Sequence, residues 1–265
     1  MKETLNLIKI GGNIIDDEGK LQSFLSDFAR LSGPKILVHG GGKIATEVAK
    51  GLGIEAQLVE GRRITDAAML RVVTMVYGGL VNKNIVALLQ ARGTQALGLT
   101  GADANIIPAQ KRPVKTIDYG FVGDIAAEAI ARQNLRLFLD NGLTPVLAPL
   151  THDGEGHLLN TNADTIASAV AVALSGDYQV NLTYCFEKKG VLANVADEDS
   201  VIHQIDPGKY QALKADGTIV QGMIPKLDNA FDAIRAGVAS VYICHADQVL
   251  NILEARQQAG TQLMA

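Results

Sequence analysis

The sequence predicts an α/β protein, a three-layer sandwich with helices on both faces of a mainly parallel sheet. Short apolar strand-like runs alternate with amphipathic helix-like runs along nearly the whole chain. Two of these strands run directly into glycine-rich turns, Gly11-Gly12-Asn13 and His39-Gly40-Gly41-Gly42. Open parallel sheets bind ligands at such places, beyond the C-terminal ends of their strands. The 265 residues suffice for one large domain or for two lobes sharing a sheet.

The candidate strands are 5–10, 35–38, 95–99, 144–148, 178–185 and 239–243. They are short and mostly apolar, as strands covered on both faces are. Amphipathic segments fall between them at 20–31, 43–52, 66–92, 124–141, 163–174, 222–236 and 247–257. Two stretches break the alternation: 108–123, with Arg112-Pro113 and Tyr119-Gly120, and 152–159, rich in Asp and Gly. Turn residues around short β-branched pieces such as 114–117 predict added hairpins, which either shape a substrate pocket or are plain surface loops. A long apolar helix ends at Ser175-Gly176-Asp177, so the chain divides best into lobes 1–175 and 176–265, closely coupled.

Composition narrows the partners. Charged residues are 20% of the chain, the formal net charge is -4, and neither end carries a block of like charge. Nothing marks a nucleic-acid or membrane surface, and small molecules are the expected ligands. No signal peptide opens the chain and no stretch reads as a membrane span, so a cytoplasmic protein is expected. Cys185 and Cys244 lie in apolar runs and read as reduced core thiols. His152 and His157 lack metal-ligand spacing with a third residue, and no nucleophile elbow is present, which removes metalloprotease and hydrolase chemistry.

Five clusters can carry chemistry. Lys9 ends an apolar strand, and an ammonium there needs an anion, either an internal carboxylate or a ligand. The His39-Gly40-Gly41-Gly42 turn opens a helix whose N-terminal N–H groups favour an anion, although neither the P-loop nor the dinucleotide-binding spacing is met. In Gly61-Arg62-Arg63-Ile64-Thr65, Thr65 reads as an N-cap with Asp66 supporting the dipole. An arginine there can fork onto a carboxylate or simply be solvated. Asn160-Thr161-Asn162-Ala163-Asp164 opens an apolar helix that Asn162 can cap, while Asp164 requires a cation, with Lys9 and Lys226 the candidates. Lys226 follows Pro225 in Gly222-Met223-Ile224-Pro225-Lys226 at a helix start, a position usually exposed.

With these clusters in this order, and with Asn82-Lys83, 119–124 and Gly260-Thr261 in support, the chain resembles the amino acid kinase family over essentially its whole length. It is most similar to the members that act on N-acylated glutamate. The resemblance implies an open, mainly parallel sheet of about eight strands and transfer of the γ-phosphoryl of ATP to the γ-carboxylate of N-acetyl-L-glutamate. Lys9 and Lys226 would stabilise the transferring phosphoryl, with Asp164 holding both. Gly41, Gly42, Arg63 and Asn160 would bind the acyl-amino acid in the N-terminal lobe, which would also dimerise. Gly11, Gly12, Glu187, Lys188, Lys189, Gly190, Val191, Leu192 and Gly222 would bind nucleotide, chiefly in the C-terminal lobe. Mg²⁺ would be held mainly by the nucleotide, with no metal site made by the protein alone.

Two segments depart from the family pattern. Where relatives usually read Thr/Ser-Asp-Val-x-Gly-Val-Leu, this chain has Phe186-Glu187-Lys188-Lys189-Gly190-Val191-Leu192. In 98–104 a lysine that often follows the second glycine is missing. The acyl pocket is therefore expected to differ, with N-succinyl-L-glutamate an alternative substrate. A non-catalytic amino-acid sensor keeping the fold is the alternative from another class. Arginine-inhibited relatives carry an extra N-terminal helix that builds hexamers. Here the first strand begins within a few residues of Met1, so the expectation is a homodimer without that inhibition, and a PII-type regulator is left open.

Overall fold

Strand β1 (Thr4–Ile10) lies at the centre of an eight-stranded sheet in the computed structural model, which describes residues 2–59, 62–219, 223–254 and 259–265. The other strands are β2 (Lys35–His39), β3 (Ala96–Leu99), β4 (Thr144–Leu147), β5 (Gln179–Phe186), β6 (Gln204–Ile205), β7 (Ser240–His245) and β8 (Thr261–Leu263). Their order is β6-β8-β7-β5-β1-β2-β4-β3, with every neighbouring pair parallel except β7 and β8. The three-layer, mainly parallel architecture is the one expected. All six strands expected from the sequence are present, and the short strands β6, at one edge, and β8, beside it, were missed because two or three residues carry no period.

The helices are α1 (Gly12–Ile15), α2 (Glu18–Arg30), α3 (Gly42–Gly51), α4 (Ala67–Gln90), α5 (Arg132–Asp140), α6 (Ala163–Leu174), α7 (Pro207–Ala215), α8 (Ile224–Arg235) and α9 (Val249–Leu253). Alternation along β1 sorts its side chains between two cores. Leu5 and Leu7 join Ile36, Val38, Ile166, Val170 and Leu182 on one face. Ile8 and Ile10 join Phe24, Phe28, Leu37, Val72 and Ile85 on the other. By the same period Lys9 belongs to the face of Leu5 and Leu7, which α6 covers.

Several boundaries differ from expectation. The segment 124–141 is not one helix: Gly123–Asp124 pairs as a strand with Gln110–Lys111, a single 3-10 turn follows, and α5 begins only at Arg132. Asp66, not Thr65, caps α4, accepting from the Met69 N–H at 2.7 Å, because the buried Thr65 hydroxyl donates instead to the Arg63 carbonyl. Asn162 does cap α6, accepting from the N–H groups of Asp164 and Thr165. The expected helical residues 255–257, Gly61 and Gly222 lie outside the described residues. Contrary to the sequence reading, α4 is long and apolar enough by composition for a membrane span; it packs Met69, Val72, Val73, Ile85 and Leu89 into the core. Its middle, Thr74–Val81, is wound as a π-helix.

A buried polar bolt ties α4 to the sheet beneath the second glycine turn. Asn82 donates from Nδ2 to the Val146 carbonyl at 2.9 Å and lies 3.1 Å from Nε2 of His39. That nitrogen therefore accepts, and the proton sits on Nδ1, which donates to the Gly40 carbonyl at 2.7 Å. Gly98 makes room for the bolt, since a Cβ there would lie 2.1 Å from Asn82 Oδ1.

Burial holds the His39 pKa down at about 4, against an ordinary 6.5. The unfolded chain takes up the proton first as pH falls, so the contribution of His39 is complete above pH 6.5 and is lost as pH falls through 4. Between pH 7 and pH 4 the wild type should lose roughly 3 kcal/mol more unfolding free energy than His39→Gln. Urea titrations check this; parallel pH profiles for the two proteins would contradict it.

Candidate active site

Two clefts open side by side at the C-terminal ends of β1, β2 and β5, and they share one wall: Lys9, Gly11 and Gly12. The first, of about 250 Å³, is lined by the second glycine turn, Arg62, Arg63, Tyr77, Arg112 and the start of α6 from Asn160. The second, of about 370 Å³, is lined by Asp164, Phe186, Glu187, Lys188, Gly190, Met223 and Lys226.

The glycine turns stack on one another. A Cβ on Gly40 would lie 3.7 Å from the Gly11 Cα, and the Gly40 N–H donates to the Ile10 carbonyl at 3.0 Å. Gly41 has φ +144°, a conformation that favours glycine, and a Cβ there would press on Tyr77 at 3.1 Å. With no side chain capping α3, its first N–H groups are open to an anion in the first cleft. The Gly40 carbonyl is drawn back to His39, so peptide planarity turns the Gly41 N–H the opposite way.

Arg63 is tied into this wall. Its Nη2 donates to the Gly42 carbonyl and to Thr46 Oγ1, both at 2.7 Å. The π-helical turn of α4 brings Tyr77 alongside, and burial raises the Tyr77 pKa while Arg63 opposes the rise. Asn160 donates to Thr65 Oγ1 at 2.9 Å, linking the strand before α6 to the Arg63 segment. The insertion 108–123 docks here through the Thr65 N–H to Tyr119 carbonyl bond, and Gly120 is required because a Cβ would lie 2.2 Å from the Thr65 carbonyl oxygen. From this insertion Arg112 reaches the first cleft, held by Asp124 at 2.5 Å and lying over the Tyr119 ring. The buried Nη1 of Arg112 has no hydrogen-bond partner among the described residues.

At the shared wall, Lys9 Nζ lies 2.8 Å from Asp164 Oδ1 with both side chains mostly buried. Asp164 occupies the first turn of α6, where a carboxylate also meets the positive end of the helix. Asp164 was expected to hold both lysines; the structure pairs it with Lys9. Lys226 instead places its ammonium 4.0 Å from the centroid of the Phe186 ring. Burial pushes the Lys226 pKa down, Asp164 raises it, Lys9 lowers it again and Glu187 raises it.

Lys9, Lys226, Asp164, Gly11, Gly12, Gly41, Gly42, Arg63, Asn160, Glu187, Lys188 and Gly190 thus converge on the two clefts. Three expected nucleotide residues do not line them. Lys189 turns outward to Asp199 at 2.5 Å. Val191 and Leu192 are buried behind the wall, with the Val191 N–H donating to Thr261 Oγ1. Gly190 sits so close to Thr261 and Val201 that no Cβ fits, which explains the glycine at this point of the segment. Residues 98–104, expected to alter the acyl pocket, do not line the first cleft. Sequence reasoning gave no role to Tyr77 or Arg112, and named Asn82 only in support of the family resemblance. Arg112 carried a signal as a cation within an insertion read as either a pocket wall or a surface loop.

A family model described as "Amino acid kinase family" matches residues 4–245. The acetylglutamate kinase of Cytophaga hutchinsonii is 60% identical over 264 residues, 99% of each chain. That of Bacteroides thetaiotaomicron is 58% identical over 249 residues, 94% of this chain and 96% of its own. Among solved structures, N-acetylglutamate synthase from Neisseria gonorrhoeae, complexed with coenzyme A and N-acetyl-glutamate, superposes with TM-score 0.81 at 22% identity. It covers 99% of this chain and 59% of its own, a likeness of fold.

Proposed function

The chain belongs to the amino acid kinase family, and on that premise we propose that it transfers the γ-phosphoryl of ATP to the γ-carboxylate of N-acetyl-L-glutamate. The product is N-acetylglutamyl 5-phosphate, an intermediate of arginine biosynthesis. The observation that carries this reading is the shared wall, because an in-line transfer needs donor and acceptor in adjoining clefts with positive charge where they meet.

Acyl-glutamate occupies the first cleft, its α-carboxylate on Arg63 and Asn160 and its reacting end against Gly41 and Gly42. Nucleotide occupies the second cleft, along Glu187, Lys188 and Gly190, with Lys189, Val191 and Leu192 supporting that path from behind. Mg²⁺ brought with the nucleotide would supply further positive charge against its phosphates, with no residue of the chain assigned to hold it. The acceptor is already ionised at neutral pH, so no general base is required. A carboxylate oxygen forms the new bond to phosphorus as the bond to the bridging oxygen of ADP breaks, and ADP leaves with that electron pair. Lys9, fixed by Asp164, and Lys226 balance the charge on the moving group, with the N–H groups of Gly11 and Gly12 beside them. Keeping these three charged groups together serves catalysis and has no use in a sensor.

On this reading residues 1–175 form the acyl-glutamate lobe and 176–265 contribute most of the nucleotide wall. The exposed Met75 and Leu80 on α4 suit pairing of two N-terminal lobes in a homodimer, which light scattering at twice the 28.1 kDa chain mass checks. An ATP-using biosynthetic enzyme of this kind is assigned to the cytoplasm. One observation favours N-succinyl-L-glutamate as a second acceptor: the Arg112 guanidinium lines the first cleft and adds a cation there for another carboxylate.

The test is ATP-dependent acyl phosphate formation, trapped with hydroxylamine, with each acyl-glutamate in turn. Lys9→Ala and Lys226→Ala should each lower kcat by about 10²-fold or more. Near-normal turnover in either variant would overturn the assigned roles, and failure of the wild type to phosphorylate either compound would overturn the function.

A further inference from the structure

Phe186 ends β5 on the same face of the sheet as Tyr184, which stands in register with Lys9 of β1. The Phe186 ring therefore lies among charges at the inner edge of the second cleft. Lys226 Nζ is 4.0 Å from its centroid and Lys9 Nζ 5.8 Å. Behind it stacks Tyr184, with centroids 6.2 Å apart and planes inclined by 18°. The Tyr184 hydroxyl donates to the Asp164 carbonyl oxygen at 3.4 Å, so the ring pair is anchored to the first turn of α6.

Two ammonium groups meet here, and the charges that act on Lys226 are Asp164 and Glu187, which raise its pKa, and Lys9, which lowers it. Asp164 sits on Lys9, and among the described residues no carboxylate comes within ion-pair distance of Lys226. We propose that Phe186 is a positioning residue for the transfer, its π-face seating the Lys226 ammonium at the junction of the clefts. The proposal rests on the phosphotransfer reading above. An aromatic face attracts a cation without carrying a formal negative charge. A carboxylate in its place would hold the lysine equally well but would neutralise it and repel the incoming phosphates. The ring leaves the N–H donors of Lys226 free for phosphoryl oxygens and offsets part of the burial that lowers its pKa.

The experiment compares Phe186→Leu, which keeps an apolar side chain but removes the π-face, with Phe186→Tyr, which retains it. The kcat of Phe186→Leu should fall about tenfold, the strength of a partly desolvated cation–π contact. Its KM for acyl-glutamate should stay within about twofold, because the first cleft is untouched. The alkaline limb of its kcat profile should move to lower pH, since Lys226 loses its proton more readily without the ring. Phe186→Tyr should behave as wild type in all three respects.

Titration of isotopically labelled lysine side chains by NMR, without substrate, gives a readout independent of turnover. The Lys226 signal should titrate at lower pH in Phe186→Leu than in wild type or Phe186→Tyr. Unchanged titration and kcat in Phe186→Leu, equal impairment of both variants, or a loss confined to KM for ATP would overturn the proposal. A wild type that titrates as expected but forms no acyl phosphate would instead overturn the phosphotransfer reading, and the catalytic part of the inference with it.

Discussion

A lysine ammonium at the end of a central parallel strand is tolerable only with an anion beside it, and Lys9 finds Asp164 at 2.8 Å. The pair joins the C-terminal end of β1 to the first turn of α6, the two elements between which both clefts open. Removing one partner of a buried pair typically costs roughly 3–5 kcal/mol, whereas replacing both by apolar residues is often neutral or stabilising. Stability alone therefore gives no reason to keep the pair. Its position does, because it fixes one positive charge at the place where a nucleotide phosphate and an acceptor carboxylate would meet.

Around that charge the surroundings are arranged to favour anions. Both glycine turns present backbone N–H groups, and α3 and α6 direct their N-terminal ends at the first cleft. His39, close enough to compete as a cation, is kept neutral by burial and by Asn82, so it shapes the turn without adding charge. Lys226 supplies the second cation from the first turn of α8, seated on an aromatic ring. The positive charge at the junction is thus set by which groups have counter-charges and which do not.

Most of the fold was legible because its central strands are apolar runs followed by turns whose glycines have a mechanical reason. Lys9 and Asp164 were legible for the same reason: each is a charge inside an apolar element and requires a partner. What stayed hidden depends on contacts between distant segments. Nothing local marks Phe186 as the neighbour of Lys226, and a lysine in search of a carboxylate was the simpler reading. Arg112 looked like a turn residue until the hairpin pairing set Asp124 beside it. Lys189, Val191 and Leu192 came with a motif, and the structure shows that much of that motif marks a backbone path fixed by Gly190 and Thr261.

The central claim is that Asp164 acts on the transfer by holding Lys9. A double-mutant cycle on kcat for acyl phosphate formation tests it most directly, using Lys9→Met, Asp164→Asn and the double variant. If Asp164 works through Lys9, the double variant will be no more impaired than Lys9→Met alone, because the lysine that the carboxylate holds is already gone. Losses that multiply would show two independent contributions and contradict the account.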